Sequence, residues 1–386
     1  MGDTISGCGR WGLLMILILG AVSDCREPVD PVEREPWTWD LPAGFPTPRV
    51  PADNQISVEK VELGRHLFYD RRLSGNQQFS CASCHLQELA FTDGRGRSVG
   101  ATGEDHLRGA MSLANVAYNR SLNWADPETE SLEEQALVPL FGEHPVELGL
   151  SREDLSWMER FREESLYQEL FGRAFPEKED PFQVEMIVKA LASFQRTLIS
   201  GNSPFDRFLH QGDSEAMSPS AQRGMALFFS ERLECFHCHG GFNFSDDVDH
   251  EGLVFNDPSF HNTGLYNYDH RGSYPPGNQG IYEFTGNPED MGRFRAPTLR
   301  NIEVTGPYMH DGSVETLEEV IDHYGAGGRR IHEGPWAGNG AENPFKSPFV
   351  VGFQLSEAER EDLLAFLKSL TDEEFLTNPA FSDPWQ

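Results

Sequence analysis

The chain has 386 residues, with 62 acidic against 31 basic side chains and a formal net charge of −31. That length suits two domains of ordinary size, and so acidic a surface excludes nucleic acid and anionic lipid as partners while suiting a basic protein or a metal cation. Hydrophobic residues at 38%, with 37 Gly and 25 Pro, describe a folded, loop-rich chain without a long disordered run.

In chain order, Arg10 precedes an apolar stretch from Trp11 to Val22 that is too short to span a bilayer and has the form of an export signal. Cleavage falls after Ser23, behind the small residues Ala21 and Ser23, or before Cys25, which would then carry a lipid anchor. Residues 1–25 are read as this signal, and the body of the chain is placed outside the cytoplasm, in the periplasm or cell envelope. Residues 26–56 are rich in Pro and Trp without helical period and read as an extended lead-in.

Ser57 caps a helix running through Val61 and Leu67 towards Tyr69. Phe182, Ile187, Leu191, Phe194 and Leu198 share one face of a second helix. Ser218 and Pro219 open a third over Ala221 to Phe229, and Ser356 with Glu359 forms a capping box ahead of Leu363, Phe366 and Leu370. The stretch Leu63–Tyr69 is echoed by Gln222–Phe229, a weak internal repeat. Residues 240–295, dense in Gly, Asn, Asp, Pro and Tyr, read as long loops, and little in the chain alternates like a strand.

Of six cysteines, Cys8 and Cys25 fall in or at the end of the signal, and the other four lie in two pentads, Cys81-Ala82-Ser83-Cys84-His85 and Cys235-Phe236-His237-Cys238-His239. Two thiols three residues apart can bond the vinyl groups of one haem, and the adjacent histidine can ligate its iron. A chain of this composition holds roughly 0.003 such pentads by chance. A structural zinc site or a dithiol redox pair explains neither the domain-length separation nor a histidine after both pairs. The expected fold is mainly α, with two cytochrome c-like haem domains, over residues 57–215 and 216–386, and long irregular loops.

The chain resembles the bacterial di-haem cytochrome c peroxidases and their relative MauG. The resembling segments are Leu63–Tyr69 with Ser80–His85, Ser131–Gln135 with Val146-Glu147-Leu148, Ser203–Asp206, and Arg293–Glu319, which includes Arg-Ala-Pro-Thr-Leu-Arg-Asn-Ile up to 302 and Pro-Tyr-Met-His-Asp-Gly-Ser from 307. The resemblance implies that Gln135 and Glu147 line the peroxide pocket of the first haem, where a carboxylate can take a proton from one peroxide oxygen and return it to the other while an amide steers the bound oxygen. It implies a tyrosine ligand, Tyr324, on the second iron where electron-storing peroxidases carry Met. Leu317, Val320, Ile321 and Tyr324 share one helical face, and the rival ligands are His323, His310, Met291 and Met309. A hard tyrosinate favours high iron oxidation states.

The resemblance further implies that Trp124 lies between the haems as a charge relay, and that a calcium ion is partly held at Thr305 and Pro307, although Gly109 stands where the family has an asparagine ligand. The family's loop histidine, which closes the peroxide haem in some members, aligns with Ala101; His106 lies nearby. Leu41–Pro51, Phe141–Gly149 and His261–Asn267 look like the MbnH branch of di-haem enzymes. That likeness implies reaction with hydrogen peroxide, a high-valent two-haem intermediate, and oxidation of a partner protein, Trp to kynurenine in a copper-associated partner of the MbnP kind. The alternatives are a peroxidase fed by a small cytochrome or cupredoxin, and a non-enzymatic electron carrier or redox sensor.

Overall fold

A computed structural model describes residues 37–255 and 257–386. The signal, the cysteines at 8 and 25 with the lipid-anchor reading, and the first part of the lead-in lie outside the described residues. From Trp37 to the C-terminus the chain forms one compact unit, and among the described residues no helix is long and apolar enough to cross a membrane.

The helices are α1 Val58–Tyr69, α2 Leu132–Phe141, α3 Glu159–Arg162, α4 Ser165–Ala174, α5 Val184–Arg196, α6 Pro204–His210, α7 Pro219–Phe228, α8 Tyr282–Thr285, α9 Leu317–Gly325, α10 Glu357–Lys368 and α11 Glu373–Thr377. Among the described residues, strand is confined to two antiparallel pairs of two residues each, Phe260–His261 with Phe294–Arg295 and Arg330–Ile331 with Gly338–Asn339. The caps fall where the side-chain chemistry puts them. Ser57 accepts from Lys60 N–H, Ser218 from Ala221 N–H, and Ser356 with Glu359 forms the reciprocal box. Residues 37–56 hold no helix, and 240–295 is almost wholly loop.

Two apolar cores follow from these helices. One joins Leu63, Leu67 and Phe68 of α1 to Ile187, Leu191 and Phe194 of α5 and to Leu170 and Phe171 of α4. The other joins Ala221 and Phe228 of α7 to Leu363 and Phe366 of α10 and to Leu317 and Ile321 of α9. A third cluster, with Leu265, Tyr274, Phe294 and Val314, underlies the long loops. The end of the chain returns to the first core: Phe375 and Leu376 are buried in it, Tyr69 donates its hydroxyl to Phe381 O at 2.7 Å, and Arg65 donates to Ser382 O at 2.7 Å.

The weak sequence echo marks a bonding scheme made twice. Gly64 of α1 lies so close to α5 that a Cβ would sit 2.0 Å from Ala190 O, and Gly224 of α7 so close to α10 that a Cβ would sit 1.9 Å from Asp362 O. Four residues on, Phe68 meets Phe194 at 5.3 Å and Phe228 meets Phe366 at 5.1 Å. A second echo escaped the sequence reading. Ser112-Leu113-Ala114-Asn115-Val116 and Thr298-Leu299-Arg300-Asn301-Ile302 adopt one turn, with each asparagine in the left-handed region at φ 59° and 61°. Ser112 Oγ donates to Ala90 O and Thr298 Oγ1 to Asn243 O, both at 2.6 Å.

Candidate haem and peroxide site

Each pentad closes a 3-10 turn, Cys81–Ser83 and Cys235–His237, that delivers its histidine to a fixed partner. His85 donates Nδ1–H to Phe91 O at 2.6 Å, and His239 donates Nδ1–H to Phe244 O at 3.1 Å. Both phenylalanines stand in the left-handed region, at φ 62° and 49°, which turns their carbonyls back onto the imidazoles. Such a bond fixes the tautomer and leaves the Nε2 lone pair free for a metal. Burial lowers the pKa of both rings, so they stay neutral, as a ligand must be.

Burial pushes the thiols of Cys81, Cys84 and Cys235 up to about 12. Protonated, buried thiols are poor nucleophiles and do not suit a dithiol redox centre. All four pentad cysteines are free of disulfides.

The second pentad opens on a cavity. Cys235, Cys238 and His239 line it together with Phe228, Leu299, Val320, Ile321 and Leu363, and Tyr324 of α9 faces the same space. The Tyr324 hydroxyl has no hydrogen-bond partner among the described residues, and burial, with the Cys238 and Cys235 sulfurs next, holds its pKa above the usual range. An apolar cavity with two thiols, a primed imidazole and an unpartnered phenol fits a c-type haem with two protein ligands.

Of the rival ligands, Met309 and His310 also line this cavity, whereas His323 and Met291 do not. His310 stacks on Phe294 at 3.6 Å and 11°, and its Nε2 is buried without a hydrogen-bond partner among the described residues. Tyr324 is the one reached by the pentad sulfurs.

Trp124 is half-buried in the wall of the same cavity. Its Nε1–H donates to Gly109 O at 2.9 Å, while Gly109 N–H donates to His310 O at 3.0 Å. Thr305 and Pro307 also line the cavity. At Thr305 and Pro307 a calcium ion would be offered backbone and hydroxyl oxygens, and Gly109, whose carbonyl accepts from Trp124, adds no side-chain oxygen.

Around the first pentad, Glu147 is the decisive group. Its charge reaches both Cys81 and Cys84. Pro139 O of α2 accepts from Leu148 N–H at 2.9 Å and Leu140 O from Leu150 N–H at 3.0 Å, so the segment carrying Glu147 is bonded to the end of α2. Gln135 sits one turn earlier than Pro139 on that helix, half-buried, with no side-chain hydrogen bond among the described residues. The Glu147 side chain is 37% exposed. Even so, the protein packed around the carboxylate desolvates it and raises its pKa to about 7.

Ala101, where the family's loop histidine would stand, donates its N–H to Glu147 O at 2.7 Å and offers no ligand. Sequence reasoning also missed His261, which lines the second cavity and lies 2.7 Å from Asp246. Burial opposes charge on this ring, while the bond to Asp246 and the contact with the Cys238 thiol favour it, and the balance raises its pKa to about 10. Cys238, Asp246 and His261 lie close enough to hold a metal ion, an option that a thioether at Cys238 would remove.

The sequence profile described as "Di-haem cytochrome c peroxidase" matches residues 58–215. "Cytochrome-c peroxidase IdrP1" of Denitromonas iodatirespirans is 36% identical over 88% of this chain and 87% of that protein. The chain belongs to the di-haem cytochrome c peroxidase/MauG family. "Methylamine utilization protein MauG" of Methylorubrum extorquens is likewise 36% identical, over 86% of this chain and 83% of its own length. A solved structure titled "a MauG-like protein associated with microbial copper homeostasis" is 50% identical, with a TM-score of 0.89, covering 91% of this chain and all of that one. Membership makes the protein an oxidoreductase of the peroxidase type with two c-type haems.

Proposed function

We propose that the chain is a periplasmic enzyme that reacts with hydrogen peroxide while fully oxidised and then oxidises a partner protein. Residues 57–215 carry the peroxide-facing haem at Cys81, Cys84 and His85. Residues 216–386 would hold the second at Cys235, Cys238 and His239, with Tyr324 as a further ligand to its iron. When bound, the haem pair would supply the redox chemistry by which peroxide oxidises the partner.

The residues have distinct tasks. Glu147, with its pKa raised to about 7, takes the proton of one peroxide oxygen and returns it to the other. Gln135 offers its unengaged amide to the bound oxygen. Trp124 is an oxidisable ring in the cavity wall. The observation that carries the reading is the phenol of Tyr324, without a hydrogen-bond partner among the described residues and within reach of both pentad sulfurs. A hard anionic ligand disfavours the reduced state on which ordinary electron-storing peroxidases depend. The partner is proposed to be a small exported copper-associated protein with an oxidisable tryptophan, in keeping with the copper-homeostasis association of the 50% identical structure.

The test is the optical spectrum of ferric holoprotein before and after one equivalent of peroxide without reductant. Rapid loss of the ferric Soret band is expected. Reaction only after one haem has been reduced would return the protein to the electron-fed peroxidases.

A further inference from the structure

His106 is the nearest basic group to Glu147, with its Nδ1 4.0 Å from Glu147 Oε1. The ring is largely sheltered, at 15% exposure, and has no hydrogen-bond partner among the described residues. Its position is built, not incidental. Val99 and Asp105 pair across a tight loop, His106 N–H donates to Ser98 O at 2.7 Å, and Asn76 Nδ2 donates to Ala101 O at 2.8 Å. Ala101 N–H bonds Glu147 O at 2.7 Å, and Gly100 packs where a Cβ would lie 1.8 Å from Val146 O. The loop carrying His106 is thus fastened to the backbone of Glu147 itself, which holds the two side chains' attachment points in register.

We infer that His106 is a positioning residue that acts through Glu147, setting the heading of its carboxylate and sharing its proton while peroxide is cleaved. The inference rests on the function proposed above. Glu147 takes one proton from a peroxide oxygen, the proton resides on the carboxylate–imidazole pair, and it is returned to the departing oxygen. The pair gains and loses no net proton and no electron. A 4.0 Å gap is one that a small side-chain shift or one water closes in the working complex.

Burial keeps His106 below its ordinary range, against the pull of Asp93, so it is neutral and able to accept. The charged groups around the pair are Asp93 and Arg95 on the turn after the first pentad, with Glu104 and Asp105 on the loop of His106. None of these replaces His106 at 4.0 Å or less from the Glu147 carboxylate.

The experiment compares ferric holoprotein with His106→Phe, His106→Gln and Glu147→Gln from pH 5 to 9. It measures peroxide-driven Soret loss and, independently of turnover, the association rate of hydrogen cyanide, which must also surrender a proton on binding. His106→Phe is expected to slow both about tenfold at pH 7, through lost heading, and to move the half-maximal pH downward by about one unit, because a neutral acceptor favours the protonated pair. His106→Gln restores heading but not proton sharing, so its rate recovers at high pH while the shifted midpoint stays. Haem content of each variant separates misfolding from function, and His106→Gln carries the test where His106→Phe fails to load. Rates within twofold of the parent and an unmoved midpoint in both His106 variants, with Glu147→Gln still slow, would overturn the role of His106 alone. If Glu147→Gln is also unaffected, the acid–base reading of the whole site falls, and His106 with it.

Discussion

Asn115 and Asn301 perform the same task at two places in the chain. Asn115 N–H donates to Leu198 O and its Oδ1 accepts from Ser200 N–H; Asn301 N–H donates to Leu370 O and its Oδ1 accepts from Asp372 N–H. Both are fully buried, and Asn301 Nδ2 donates to Ser200 Oγ, so one network carries both turns.

Replacing Asn301 with Ala should therefore cost about 3 kcal/mol, from lost buried hydrogen bonds and from a left-handed backbone that alanine resists. Asn301→Gly, which relieves only the backbone part, should cost about 1 kcal/mol less. Chemical denaturation of the haem-loaded variants reads the difference.

With its pKa raised to about 7, Glu147 should set the pH dependence of the proposed peroxide step. A general base works deprotonated, so the rate should fall as pH drops below about 7 and level off above it. Glu147→Gln should slow the step by about 10² or more and flatten the profile, as stopped-flow absorbance would show.

Tyr324→Met should raise the reduction potential of the second haem, since a thioether favours the reduced iron. Spectroelectrochemical titration of both haems checks this, and the variant should need a prior electron before it meets peroxide. An unchanged potential would remove Tyr324 from the ligand set.

Asp206 and Arg300 form a two-bond ion pair at 2.8 and 2.9 Å, with side chains 2% and 1% exposed. Burial pushes the Asp206 pKa up, but the Arg300 bonds outweigh it and the net shift is downward. A carboxylate depressed in the folded state stabilises above its unfolded pKa, and that support is lost as pH falls through the folded value. Asp206→Asn should cost about 3–5 kcal/mol at neutral pH by leaving Arg300 buried without its counter-charge, and should blunt the acid sensitivity of the melting temperature.

What could be read from the residues was local. Ser57, Ser218 and Ser356 announced their helices because a cap needs only its next three residues, and the pentads are defined within five. The carbonyls of Phe91 and Phe244 that aim the histidines were illegible, being backbone atoms presented by an unusual φ. The Ser/Thr-Leu-x-Asn echo was missed because a five-residue turn has no apolar period to notice. Nor could composition show that Phe375 and Tyr69, some three hundred residues apart, belong to one core. Of the catalytic candidates, residue types and family likeness supplied Glu147 and Tyr324, but the burial that gives Glu147 its raised pKa comes from a fold no short window contains.

The paired glycines at 64 and 224, with their matching phenylalanines, make one helix crossing a repeated part of the frame. A methyl group added at either crossing would strike a backbone carbonyl, so both halves reject the same small change. The frame is therefore rigid in the same way twice, and the two halves differ in what surrounds their pentads: a glutamate whose charge reaches the sulfurs of one, a tyrosine reached by the sulfurs of the other.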